Sequence, residues 1–474
     1  MKVMAAFLSI IIMMTVFFGA APIGVGASGS LIGDIDEDGL ITVSDALEVL
    51  RVSVGLSEYS EDKKDVYDVW SDGEVGVEDA LGVLRSAIGI IGSFGRVGVE
   101  FVFEPNAKAI ESGVTQEMLD RAVLSTEGTA RLSILMEKAA NGEDISIVTL
   151  GGSITAGSSA GAAENRYTNI ISAWWKNNFP EANVTLQNSG IGATGSLLGV
   201  HRLERDVLAY NPDLLVIEYA VNDCNSEKVG TAESFENLIR RVMTESPDTA
   251  IIVLFMVSKY NDSQYYQQPI AEAYGLPMIS YRDALLPEIE AGRMTWEGIA
   301  PDEIHPNTQG HGIAGSLVTS YLDGIKRVYK DSTRVIPAIP LEAIHGERFM
   351  NAKLNWAGGD LEPISLGSWK LDSYGYANYS GSWYYRSGRE AMVFETECKS
   401  IMLFYEEVTA EGASGSVKIY IDGVGPIYLR SLNEYTWGNS LTISDIYYGE
   451  KTEKHTIKII PGSGKFRIAA ILTA

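Results

Sequence analysis

A serine, an asparagine and an Asp-x-x-His pair stand along the 474-residue chain in a fixed order, the first two each just beyond an apolar run. Ser153 sits in Gly152-Ser153-Ile154 after the run 145–150, Asn222-Asp223 follows the run 214–219, and Asp302-Glu303-Ile304-His305-Pro306-Asn307 lies further on. Acyl transfer to a serine uses these residue types: a hydroxyl nucleophile, an imidazole base with a carboxylate to orient it, and donors for the oxyanion that develops. Asp302 and His305 are three apart, so a short loop or helical turn brings the carboxylate to one ring nitrogen while the other faces Ser153. A fourth block, Asn188-Ser189-Gly190-Ile191-Gly192-Ala193-Thr194-Gly195, follows the run 184–187. Its small residues let backbone N–H groups approach a substrate oxygen.

Such residues need a scaffold, and the flanking pattern predicts one. Strand-like runs at 145–150, 184–187, 213–219, 250–257 and 277–280 alternate with helical stretches at 165–178, 201–210, 232–245, 267–274 and 309–329. A helical pattern over 117–140 precedes them, after a connector over 93–112 with a strand expected at 97–103. The alternation predicts a three-layer α/β/α sandwich over 113–335, with a parallel sheet covered on both faces by helices. All four motif blocks then fall at strand ends, the edge on which open sheets bind ligands.

In this order the four blocks resemble the SGNH (GDSL-type) hydrolase superfamily, over roughly 143–321. The resemblance implies a flavodoxin-like fold, Ser153 as nucleophile, His305 as general base and then acid, and Asp302 as its orienter. It implies an oxyanion hole made by the N–H of Ser153, an N–H of the second block at Ala193 or the adjacent Gly192, and the Asn222 amide. Two positions depart from the family's pattern: Gly152 replaces an Asp before the serine, and Ala193 replaces a glycine. His201, His311, His345 and His455 lack this context and read as structural or surface groups. Trp296 reads equally as a sugar-binding wall or as core, and Trp174-Trp175 as core. Asp223 reads as support for its turn.

Between Gly33 and Gly92 the chain repeats itself. Val43-Ser44-Asp45-Ala46-Leu47-Glu48-Val49-Leu50-Arg51 returns as Val77-Glu78-Asp79-Ala80-Leu81-Gly82-Val83-Leu84-Arg85, an offset of 77 − 43 = 34. Counting from Asp34, carboxylates fall at positions 1, 3, 5 and 12 (Asp34, Asp36, Asp38, Asp45), with Gly39 at position 6 and the Leu40 carbonyl at 7. That is the oxygen-ligand spacing of an EF-hand calcium loop. The second copy offers Asp68, Asp72, Glu74 and Asp79 around Gly73, but Trp70 stands at position 3 and supplies no oxygen. This pair of loop-and-helix repeats, assigned to 31–92, resembles a dockerin. The resemblance implies a small α-helical module that binds Ca²⁺ and plugs into a cohesin domain of a scaffoldin.

Around these units the chain changes character twice. Lys2 precedes a largely apolar stretch and small residues up to Ala27, the pattern of a secretory signal peptide over 1–27 rather than a membrane span. From 341 to 474, Trp, Tyr and Gly with alternating runs at 400–405, 416–422, 425–429, 455–460 and 465–472 predict a β-sandwich. It looks like the jelly-roll domains that accompany carbohydrate esterases. A formal net charge of −25 argues against a nucleic-acid partner. The two cysteines, Cys224 and Cys398, fall in different units and read as free thiols. Together these features lead us to expect a secreted, cellulosome-attached serine esterase acting on an acetylated polysaccharide such as xylan or mannan, with no cofactor for catalysis. The rivals are a lipase or thioesterase on longer acyl chains and a non-catalytic glycan-binding scaffold component.

Overall fold

Five runs become parallel strands, and helices bury both faces of the central three. The structure, a computed structural model, describes residues 30–70, 73–88, 94–95, 99–224, 231–332, 336, 339–359, 361–376, 379–436 and 440–474. The expected signal peptide lies outside the described residues. In chain order the strands of the first sheet are β1 (Val123–Ser125), β2 (Ile145–Gly151), β3 (Val184–Gly190), β4 (Leu214–Glu218), β5 (Ala250–Phe255) and β6 (Met278–Ser280). They are arranged β1-β6-β5-β4-β2-β3.

Alternation along each strand divides the core in two. Ile145, Ile147, Leu214, Val216, Ile252 and Ile279 face the helices Gln116–Ala122, Thr129–Ala140, Tyr167–Asn178, Tyr281–Glu290 and Thr308–Val328. Val148, Leu150, Leu215, Ile217, Val253 and Phe255 face Ser196–His201, Thr231–Glu245 and Gln264–Ala273. The sheet is mixed rather than wholly parallel, because β1 runs antiparallel on its edge, with Val123 opposite Ile279. The helical pattern over 117–140 is accordingly broken. Gly128 turns the chain at φ +67°, where a Cβ would fall 2.0 Å from the Gly275 carbonyl oxygen. No strand forms over the described part of 97–103; instead Ala107–Glu111 is a helix, capped by Asn106, whose amide also reaches Thr319 and Asp323. The second half of the expected connector is thus part of the α/β unit.

The C-terminal region is antiparallel. Its strands are β7 (Lys353–Trp356), β8 (Lys370–Asp372), β9 (Ser382–Tyr385), β10 (Met392–Glu407), β11 (Gly415–Ile421), β12 (Val424–Arg430), β13 (Ser440–Gly464) and β14 (Phe466–Thr473). Hydrogen bonds join all eight into one sheet. Within β10 every residue from Ile401 to Tyr405 is buried. Ile401, Leu403 and Tyr405 point into the region's own core, whereas Met402 and Phe404 complete the second core of the α/β unit beside Ala470 and Leu472. A run apolar at every position is what a strand covered on both faces requires.

The N-terminal repeats form a separate cluster. Helices Val43–Ser53 and Val77–Ala87 pack Ala46, Val49, Ala80, Val83 and Leu84 against Ile32, Val66, Val69 and Phe94. Gly39 and Gly73, at position 6 of each loop, take φ +90° and +92°, a region that favours glycine.

Candidate active site

Strand order gathers the motif blocks. Because β2 lies between β4 and β3, the segments leaving all three carboxyl ends are neighbours. Ser153 opens the short helix Ser153–Ala156 directly after β2. The loop 191–195 leaves β3 and is tied to the end of β2, with the Ile191 N–H donating to the Gly151 carbonyl at 3.0 Å. A Cβ on Gly192 would lie 3.7 Å from that of Ser153, so this loop flanks the hydroxyl on one side. Asn222, in Ala220–Asp223 after β4, flanks Gly152, where a Cβ would fall 1.8 Å from its Oδ1. Glycine at 152 therefore lets the Asn222 side chain lie against the backbone of the turn. Gly152 itself has φ −91°, so the requirement is steric.

The imidazole, unlike the other blocks, does not follow a strand: Asp302 and His305 lie between the helices Trp296–Ile299 and Thr308–Val328. His305 Nε2 lies 2.9 Å from Ser153 Oγ, and His305 Nδ1 lies 2.9 Å from Asp302 Oδ2. The other carboxylate oxygen, Oδ1, accepts the N–H groups of Ile304 at 2.8 Å and His305 at 2.7 Å, so one side chain fixes both the ring and the loop that carries it. Partial burial opposes ionisation of Asp302, but these donors outweigh it and hold the carboxyl below its ordinary value. Trp296 is buried and donates to the Asp302 carbonyl at 2.7 Å. It supports the loop from the core rather than lining a sugar wall. An imidazole so held can take the Ser153 proton and return it.

Three candidate donors lie on the segments beside Ser153. Among the described residues, the N–H groups of Ser153 and Ala193 and the Asn222 amide nitrogen engage no partner. Ala193 has φ +58°, an unfavourable conformation for a residue with a Cβ. Asp223 ties two blocks together: Oδ1 accepts the Ser196 N–H at 2.8 Å and Oδ2 the Gln267 amide at 2.9 Å. Burial raises its pKa to about 7. Glu218 lies beneath the site with Thr155 Oγ1 at 3.3 Å, and burial raises it to about 8.

Several supporting residues escape a reading by motif. Arg202, fully buried, donates to the Ser189 and Gly151 carbonyls at 2.7 and 3.1 Å, and Tyr376 of the C-terminal region donates to the Gly192 carbonyl at 2.9 Å. No local signal marks either, since each depends on a distant partner. Of the remaining histidines, burial lowers His201 to about 4, His311 bonds the Ser158 carbonyl, His455 pairs with Asp422, and His345 is exposed. Both cysteines are free thiols.

At the first acidic loop, Asp34, Asp36 and Asp38 bring carboxylate oxygens within 4.8 Å of one another. Burial raises the pKa of Asp34, and the charges of Asp45 and Asp38 raise it further. A hard divalent cation would relieve that repulsion, so the donor set fits calcium. Asp45 accepts the Ile35 and Thr42 N–H groups, and the Leu40 N–H donates to Asp38. In the second loop Asp68 accepts from Gly73 and Asp79 from Gly76, Glu74 is exposed, and Asp72 lies outside the described residues. Trp70 turns away from any ligand position: it lies over Gly82, where a Cβ would come 2.8 Å from its ring, and donates to the Glu78 carbonyl.

The geometry accords with known proteins. Residues 149–313 match the GDSL-like Lipase/Acylhydrolase family. No curated protein matches the chain. Among solved structures it is similar to a two-domain esterase active on acetylated mannans, with 26% identity over 75% of this chain and 97% of that one, at a TM-score of 0.68. A form of that esterase co-crystallised with mannopentaose is among these matches. An acetylxylan esterase from Geobacillus stearothermophilus matches 38% of this chain and 94% of its own, at 18% identity and a TM-score of 0.33. The chain thus carries a GDSL-like lipase/acylhydrolase domain and is a carboxylic ester hydrolase.

Proposed function

We propose that the chain is a secreted carbohydrate esterase that removes O-acetyl groups from a plant polysaccharide, xylan or mannan, through a Ser153–His305–Asp302 triad. The observation that carries this reading is the continuous pair of 2.9 Å contacts from Ser153 Oγ through the imidazole to Asp302. Mannan is favoured by the similarity to the two-domain mannan esterase, which extends over both the α/β and the antiparallel regions.

The steps follow from the donors. Ser153 Oγ attacks the ester carbonyl carbon while its proton passes to His305 Nε2. The Ser153 and Ala193 N–H groups and the Asn222 amide stabilise the alkoxide, which is where most of the rate is gained. As the carbon–oxygen bond to the sugar breaks, His305 protonates the leaving hydroxyl. Water, deprotonated by the same imidazole, then attacks the acetyl-serine; acetate leaves and the proton returns to Ser153. Asp302 keeps its charge throughout and stabilises the imidazolium.

The N-terminal unit is read as a dockerin-like module that holds Ca²⁺ through Asp34, Asp36, Asp38, the Leu40 carbonyl and Asp45, and docks on a cohesin. Its second loop, with Trp70 in place of a ligand, is the weaker site. Calcium here is structural, and the esterase site takes no metal.

Acetate release from acetylated mannan, xylan and pectin tests the assignment, with aryl acetate and aryl octanoate alongside. The reading predicts acetate from mannan or xylan, poor octanoate turnover and no turnover by Ser153→Ala. Octanoate preferred over acetate would indicate a lipase, and no turnover of any ester a glycan-binding component.

A further inference from the structure

The C-terminal region reaches the catalytic loop through Tyr376. The Tyr376 hydroxyl donates a 2.9 Å hydrogen bond to the Gly192 carbonyl oxygen. That oxygen and the Ala193 N–H belong to one planar peptide unit and point in opposite directions. Fixing the oxygen therefore fixes the direction of the N–H.

Left to itself, this peptide has reason to turn over. Rotation of the Gly192–Ala193 plane changes ψ of Gly192 and φ of Ala193 together. The present φ of +58° at Ala193 is unfavourable for a residue with a Cβ, and a flip would carry it to a negative value. On the proposed oxyanion assignment, the same flip would turn the Ala193 N–H away from Ser153. The relaxed conformation is thus the one that loses the donor, and the hydrogen bond from Tyr376 opposes it.

Tyr376 is itself rigidly held. It exchanges backbone hydrogen bonds with Tyr379 at 2.9 and 3.0 Å. The Tyr379 hydroxyl donates to buried Asp206 at 2.8 Å, its ring meets Trp356 edge-on at 4.2 Å, and the Arg205 guanidinium lies over both rings. Burial keeps the Tyr376 phenol protonated above its ordinary range, so it remains a donor through neutral pH.

We propose that Tyr376 is a positioning residue for the esterase reaction: its hydroxyl holds the Gly192–Ala193 peptide in the strained orientation that presents the Ala193 N–H to the oxyanion. The C-terminal region thereby completes the oxyanion hole of the other unit. This rests on the proposed triad and oxyanion assignment.

The experiment uses the full chain with Tyr376→Phe, Ala193→Gly, their combination and Ser153→Ala, assayed on an aryl acetate. Tyr376→Phe is expected to lower kcat about 10-fold or more while KM stays within about twofold, since the missing donor acts mainly on the transition state. Ala193→Gly removes the strain that drives the flip, so in that background Tyr376→Phe should cost only about twofold. A purely structural role for Tyr376 would not be rescued by glycine at 193. Wild-type kcat in Tyr376→Phe, or an undiminished loss in the Ala193→Gly background, overturns the inference. Full activity in Ser153→Ala overturns the site assignment instead, whatever Tyr376→Phe does.

Discussion

Gly152→Ala tests the contribution of Asn222 while leaving Ser153, His305 and Asp302 unsubstituted. The added methyl would sit 1.8 Å from Asn222 Oδ1, 2.7 Å from Cγ and 3.3 Å from Nδ2. Carbon and oxygen in contact settle near 3.5 Å, so the amide must swing away. Moving the donor out of reach should cost what removing an oxyanion donor costs, about 100- to 1,000-fold in kcat, or roughly 3–4 kcal/mol. Overpacking of the turn adds roughly 1–3 kcal/mol of destabilisation, read as a loss of several degrees in Tm.

The informative measurement is the double-mutant cycle with Asn222→Ala. If the alanine at 152 acts by displacing the Asn222 side chain, the double variant should be no slower than Asn222→Ala alone, because the obstructing atoms are gone. Independent effects would multiply to roughly 10⁴-fold or more. Stopped-flow or steady-state hydrolysis of an aryl acetate, with circular dichroism as a folding control, gives all four corners. Wild-type kcat in Gly152→Ala, or multiplied losses in the double variant, would refute the reasoning.

Other expectations are more direct. Asp302→Asn should lower kcat by two to four orders of magnitude at neutral pH, and loosen the loop whose N–H groups Oδ1 accepts. Glu218 has its pKa raised by burial from 4.5 to about 8. The folded state thus holds a proton that the unfolded chain releases, so stability should fall as pH rises from about 5 to 8, by at most about 5 kcal/mol. Glu218→Gln should flatten that slope in Tm, leaving the smaller, same-signed part from Asp223. EDTA should melt the N-terminal repeats, seen as lost helical circular dichroism, while aryl-acetate turnover persists; unchanged spectra would reject calcium there. Truncation before residue 341 should yield an aggregating, inactive protein rather than a free esterase, since it strips Met402, Phe404, Ala470 and Leu472 from the second core.

What could be read in advance followed from local chemistry. Strands β2, β4 and β5 are mostly apolar runs because both faces are buried, and such runs are visible in one dimension. Strand β1 escaped because three residues on an edge, with Val123 paired to Ile279, leave too short a periodicity inside a helical pattern. Likewise Ser153, Asn222, Asp302 and His305 could be named because, though each is common singly, their combination and order resemble a known hydrolase pattern. Tyr376 could not: it meets Gly192 from 184 positions away, and a hydroxyl aimed at a distant carbonyl leaves no periodic trace. The same holds for Trp296, whose two readings were equivalent until its Nε1–H was seen to bond the Asp302 carbonyl.

Beneath the reacting groups, Arg202 shows how the fold holds three separate strand ends in register. Its guanidinium donates to the Gly151 carbonyl at the end of β2, the Ser189 carbonyl in β3, the Tyr219 hydroxyl just past β4, and Asp206 at 2.9 Å. Those are the ends from which Ser153, the 191–195 loop and Asn222 emerge. Burying a cation costs several kcal/mol, and an apolar residue would serve stability as well. What an apolar residue lacks is a planar fork of donors with fixed angles between them. A lysine would supply the charge but not the plane, and its flexible stem would let the strand ends slide. Asp206 balances the charge and also accepts the Tyr379 hydroxyl, so the hairpin carrying Tyr376 is anchored to the same carboxylate. The turn at Ser153, the 191–195 loop and the C-terminal hairpin therefore share one buried ion pair.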